Sequence, residues 1–186
     1  SLTTQPDVTQ AVGVLSRFMS YPGQEHVDAA KQVIRYLYGT KEYGIEYRRD
    51  KGNAPHQDHT PRLTAYTHTR KSDIAREDSP SDSHLIGTYC DADYAGDAGT
   101  RKSTGGYGIL MAGGLICWSS KLQPTVALST AEAETMAGLE AAKQLMHLRL
   151  FLKELGNEQH GPSVVFEDNN SAISIAHGKE QSKRSK

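Results

Sequence analysis

Residues 87–108 read GTYCDADYAGDAGTRKSTGGYG, which places three aspartates, Asp91, Asp93 and Asp97, within seven positions. A strand-like run leads into them and a glycine-rich run leads away. Each carboxylate raises the cost of ionising the next, so the crowding needs either water or a cation. Asp and Gly are common turn residues, and a solvated turn is one reading. Part of a divalent-metal site at a strand end is the other, because a cation offsets the repulsion.

The neighbouring sequence reads as a compact α/β unit over residues 85–178. LIGTYCDA (85–92) alternates like a half-buried strand. GGYGILMAGGLICWSS (105–120) reads as two strands about a tight turn at Gly113 and Gly114, where hairpin geometry calls for positive φ. A long helix follows. Ser129 and Glu132 make a capping box at its start, and Gly156 is its stop. Met136, Leu139, Lys143 and Met146 continue one side, and Leu145, Leu148 and Leu152 another. SVVFED (163–168) has the continuous apolar character of a strand buried on both faces. NNSAISIAHG (169–178) starts a helix capped by Asn169 or Asn170. Strand, hairpin, helix, strand, helix in that order predicts a mixed sheet with helices packed on it.

Residues 1–50 are mainly helical by pattern. Val8, Val12, Leu15 and Met19 recur at helical spacing until SYPG (20–23) interrupts. Val27, Ala30, Ile34 and Leu37 share one face of a second helix stopped by Gly39, and YGIEY (43–47) reads as a short strand. Fifty residues cannot bury such stripes alone, so this piece is expected to dock on something. Residues 51–84 differ: six are apolar and three are prolines, the composition of a linker or insertion. His56 and His59 are three apart there, but no cysteine accompanies them and a solvated loop is the better reading.

The 186 residues carry a net charge of −1. That argues against a protein gripping nucleic acid by bulk electrostatics, yet leaves room for an enzyme using metal ions and a few placed cations. No run approaches about 18 consecutive apolar residues, so no membrane partner is expected. SLTTQPDVTQ (1–10) has no basic region before an apolar core and reads as no signal peptide. Cys90 and Cys117 are read as free thiols in a reducing compartment.

Three acids occupy suggestive positions: Asp91 towards the end of the first strand, Glu134 one turn after the helix cap, and Asp168 where the last strand meets the last helix. If the first and last strands are parallel neighbours, Asp91 and Asp168 lie side by side, and the helix can add Glu134. Mg²⁺ takes one or two carboxylates while keeping water and substrate phosphate, and a pair of such ions clamps both oxygens of a phosphodiester.

YCDADYAGD (89–97), RKSTGGYGIL (101–110), ICWSSKLQPTVALSTAEAETMA (116–137) and FEDNNSAISIA (166–176) closely resemble the ribonuclease H region of copia-type retrotransposon Pol polyproteins. QPDVTQ…YGIEY (5–47) is similar to the C-terminal end of their reverse transcriptase. The resemblance implies a ribonuclease H-like fold over 85–186 with a small helical segment over 1–50, and an insertion over 51–84 longer than the family's. It assigns the catalytic and metal-binding acids to Asp91, Glu134 and Asp168. Asp93 is the competing register for the first; Glu132 and Glu167 are set aside, the latter because a strand residue one position earlier faces the other way. The implied cofactor is a pair of Mg²⁺ ions, with Mn²⁺ as a substitute. The implied reaction is hydrolysis of the RNA strand of an RNA–DNA hybrid, with Asp91 bridging the ions, Asp168 at the water side and Glu134 at the leaving 3′-oxygen.

Arg101, Lys102 and Asn169 are the expected nucleic-acid contacts, and Asn169 is also a helix cap. Tyr107 and Trp118 read as core packing, and Lys183, Arg184 and Lys186 as a basic tail. The family has a fourth acid in a His-Ile-Asp-like motif, absent from these 186 residues, so cleavage by this chain is expected to be weak or missing. A non-catalytic nucleic-acid-binding or structural remnant is the alternative. A polymerase centre is excluded within the sequence, which has no Tyr-x-Asp-Asp. Other implied partners and places are the upstream reverse transcriptase, the cytoplasm with its virus-like particles, and the nucleus.

Overall fold

The computed structural model describes residues 5–47 and 86–178. The linker 51–84, with His56 and His59, and the basic tail lie outside the described residues.

A meander comes first: β1 (Gly87–Asp93), β2 (Thr104–Met111) and β3 (Gly114–Leu122), each antiparallel to the next. Helix α3 (Thr130–Glu154) then crosses the sheet to β4 (Val164–Phe166), which pairs parallel to β1, giving the order β3-β2-β1-β4. Helix α4 (Asn170–Ala176) follows directly. Because α3 leaves one edge strand and returns at the other, it lies across β1 and β2. This is the mixed, helix-flanked α/β sheet expected from the sequence, and it is ribonuclease H-like.

The core between α3 and the sheet is built from Ile86, Ile109, Leu145 and Leu152, with Ile109 fully buried. Strand alternation sends Tyr107, Ile109 and Met111 to this side. The helix meets the sheet mainly through Ala133, Ala137 and Ala141 in its first half. That corrects the expected stripe: Leu139 and Met146 are exposed, and small alanines let the helix approach closely. Ser129 caps α3 by accepting from the Glu132 N–H, while the Glu132 carboxylate accepts from Leu128 N–H rather than from Ser129.

Two further expectations shift. The β2–β3 turn is Ala112–Gly113, both at positive φ (53° and 78°), and Gly114 opens β3. β4 is an edge strand among the described residues, with Val164 exposed, so it is not buried on both faces. Both cysteines are free thiols.

Before the sheet come a single 3₁₀ turn over Pro6–Val8, α1 (Thr9–Ser16) and α2 (Gln24–Gly39). Met19 falls beyond α1 and is exposed. α1 docks on β3, with Gly13 facing Ser120 O. Arg17 fixes the end of this segment through Asp97 (3.0 Å) and Thr104 (3.3 Å). α2 buries no residue; Ala29, Val33 and Tyr36 line a groove between it and α1, while Val27 and Ile34 of the expected face stay exposed. Residues 43–47 form no strand; instead Tyr47 Oη donates to Leu115 O (2.8 Å) and lies over Gly114. Among the described residues no helix is long and apolar enough to cross a membrane.

Candidate metal centre

The register of the sheet sets the first two acids. β1 and β4 run in step, with Tyr89 opposite Phe166 and their rings stacked at 4.7 Å. Two residues further along each chain stand Asp91 and Asp168. Glu134 comes from the second turn of α3, where the helix crosses β1. One oxygen of each of Asp91, Glu134 and Asp168 lies within 4.8 Å of the others. Among the described residues this is the only group of three or more such side chains placed to share an ion.

The three differ in setting. Asp91 and Asp168 are exposed, whereas Glu134 is only 7% exposed. Burial pushes the Glu134 carboxyl up to about 8, helped by the charges of Glu167, Asp91 and Asp168 and opposed by a hydrogen bond from Ala92 N–H. Its Oε2 is buried without a hydrogen-bond partner. A buried carboxylate oxygen left unpaired among like charges costs free energy unless something positive joins it. An all-oxygen donor set of this kind suits a hard cation such as Mg²⁺ or Mn²⁺.

The remaining predicted residues fall around this centre. Asp93 is not in the group; its carboxylate folds back over Gly96, where any Cβ would collide with it. Asp97 is held by the Thr100 hydroxyl and N–H and, less strongly, by Arg17, interactions that keep its carboxyl below the usual range. Arg101 and Lys102 lie in the β1–β2 loop, Arg101 exposed and at φ 58°. Asn169 is adjacent to Asp168, and its side-chain oxygen accepts from Ser171 and Ala172 N–H as the cap of α4. Tyr107 faces α3, and its hydroxyl is raised to about 12 by burial and by the neighbouring Cys117.

Glu167 was missed. It does not turn away from the cluster, because β4 ends at Phe166 and strand alternation no longer governs it. Its carboxylate accepts from Cys90 Sγ (3.2 Å) and from Asn169 N–H (3.0 Å), and its charge leads those that raise Glu134. The Cys90 thiol is raised in turn, first by burial and then by that hydrogen bond.

Similarity to known proteins agrees with this architecture. The Retrovirus-related Pol polyprotein from transposon TNT 1-94 of Nicotiana tabacum is 39% identical over 173 residues, 93% of the chain. The Pol polyprotein from transposon RE1 of Arabidopsis thaliana is 34% identical over 89% of it. The chain belongs to the copia-type retrotransposon Pol polyproteins. This Pol segment spans about a tenth of the length of those relatives, 10% and 9% respectively. It is also similar to Secreted RxLR effector protein 161 of Plasmopara viticola, 40% identical over 79% of the chain and 82% of that protein. No protein-family model matches the Pol segment, and no solved structure matches it significantly.

Proposed function

We propose that this Pol segment is the ribonuclease H-type part of its polyprotein, built to hydrolyse the RNA strand of an RNA–DNA hybrid with divalent cations. The convergence of Asp91, Glu134 and Asp168 oxygens within 4.8 Å carries this reading. Membership of a Pol family supports it. In this reading residues 1–50 are the end of the preceding reverse transcriptase and the hybrid is the substrate.

The residues would share the work as follows. Asp91, near the end of β1 opposite Gly106 of β2, would be the acid shared between the cations. The exposed Asp168 would hold the cation that activates water, and the more buried Glu134 the cation at the leaving oxygen. Bound cations would supply an activated water and charge stabilisation at the departing 3′-oxygen. Arg101 and Lys102 would hold backbone phosphates, which positions the hybrid without reading its sequence. Binding at the centre requires Glu134 to be ionised, so protons compete with the cation below about pH 8.

Calorimetric titration of the purified chain with Mn²⁺, followed by hybrid cleavage on a gel, tests the proposal. Wild type should bind Mn²⁺, Asp91→Asn should lose most of that affinity, and any hybrid cleavage should vanish with it. Mn²⁺ binding that is absent, or that Asp91→Asn leaves unchanged, overturns the reading. Hybrid binding that survives Asp91→Asn with no cleavage by either form favours a non-catalytic module.

A further inference from the structure

Two buried polar residues connect the elements that carry the acids. Ser103 is fully buried in front of β2. Its Oγ accepts from Ala95 N–H (3.0 Å), and its carbonyl accepts from Gln123 N–H (2.8 Å). Gln123, 6% exposed just after β3, turns its side chain the other way: Nε2 donates to Ala133 O (2.8 Å) in the first turns of α3. Ala133 is fully buried and directly precedes Glu134. Ala95 lies four residues after Asp91 at φ 51°, a left-handed conformation that a non-glycine residue keeps only when its surroundings impose it. A continuous strut therefore runs from the loop after Asp91, through Ser103 and Gln123, to the residue beside Glu134.

The spacing around the strut is tight. A Cβ on Gly105 would meet Gln123 Nε2 at 3.3 Å and Ala137 Cβ at 3.5 Å, so the glycine lets helix, strand and amide close on one another. The Gln123 amide is also an unusual choice for stability alone. Its Oε1 is buried without a hydrogen-bond partner. An unpaired buried acceptor costs free energy, and an apolar residue of the same shape avoids that cost. The Nε2–H that reaches α3 is what the apolar residue lacks.

We propose that Gln123, braced by Ser103, is a positioning residue that sets the first turns of α3 so that Glu134 reaches Asp91 and Asp168. The proposal rests on the reading of those three acids as a cation site. Residues outside the ligand set that orient ligands typically contribute about 10–100-fold to metal affinity.

Gln123→Met keeps the length of the side chain and removes both the donor and the orphaned acceptor. Its denaturation midpoint should stay near that of wild type, while its Mn²⁺ dissociation constant rises by about tenfold or more. Ser103→Ala, which releases Ala95 from the other end, should shift affinity in the same direction. A metal-free double-mutant cycle supplies the second readout. In EDTA at alkaline pH, Glu134→Gln should raise the urea midpoint of the wild-type background, because it removes a charge crowded by Asp91, Asp168 and Glu167. In the Gln123→Met background that gain should shrink by about half or more, because the helix no longer holds the residue in the cluster. Should Gln123→Met fail to fold, Ser103→Ala is carried through the same cycle. Mn²⁺ affinity within twofold of wild type, with the Glu134→Gln gain undiminished, overturns the proposal. If wild type binds no Mn²⁺, the cation reading fails separately, and the metal-free cycle alone decides the strut.

Discussion

Replacing Glu134 with glutamine should remove a pH dependence that the wild-type chain carries whenever cations are withheld. The Glu134 carboxyl is raised from 4.5 to about 8, first by burial and then by Glu167, Asp91 and Asp168. A raised acid favours the neutral form in the folded state. The stability it contributes is therefore fully present below about pH 4.5 and is lost as pH rises through about 8. Taken at full value the shift corresponds to about 5 kcal/mol. Asp91 and Asp168 form an exposed rim, however, and water there screens the charges, which leaves about 1–2 kcal/mol. In EDTA, urea unfolding followed by Trp118 fluorescence should show wild type and Glu134→Gln nearly equal at about pH 5. By about pH 9 the variant should be the more stable by that 1–2 kcal/mol. Adding Mn²⁺ at the higher pH should then restore the wild type and leave the variant largely unchanged, since only the wild type exchanges repulsion for coordination. A difference between the two proteins that stays constant across the pH range would falsify the argument, because the crowding of Glu134 would then have no energetic consequence.

Ile109→Ala should cost about 2–4 kcal/mol in urea unfolding, because Ile109 is fully buried between β2 and α3 and leaves a cavity. A loss well under that range would mean the core can collapse around the gap. Asn169→Ala removes the acceptor for two N–H groups of α4 and should cost about 1 kcal/mol, measurable in the same assay. Gly114→Ala places a methyl group 2.8 Å from Glu46 O and against the Tyr47 ring, so residues 46–47 must lift away. Amide exchange at Leu115 and neighbouring positions should then accelerate, and unaltered exchange would contradict the packing.

Much of the fold was legible because its signals are local. The Ser129 cap, the Asn169 cap and the positive φ at Gly156 each involve groups within a few residues of one another, and each stands where its pattern placed it. Periodicity was a weaker guide to which side of a helix is covered. In α3 the side of Leu145, Leu148 and Leu152 does pack on the core, but the side of Leu139 and Met146 is exposed and the first half is buried through alanines, because close approach to β1 and β2 selects for small side chains. In α2 the apolar face was real but has little to cover it among the described residues. Residues 43–47 failed as a strand because strand propensity needs a pairing partner, and the Tyr47 side chain makes the contact instead.

The order of residues already contained the strands, the caps, the hairpin and three acids at the ends of their elements, since hydrogen-bonding chemistry and side-chain periodicity act over short separations. Folding in three dimensions settled how far apart those acids stand, that Glu167 belongs beside them, and that Gln123 ties the loop after Asp91 to the helix of Glu134. These depend on parallel pairing between strands 77 positions apart and on the depth at which one helix seats. Distances and dielectric surroundings between remote segments follow from packing, and no local pattern encodes them.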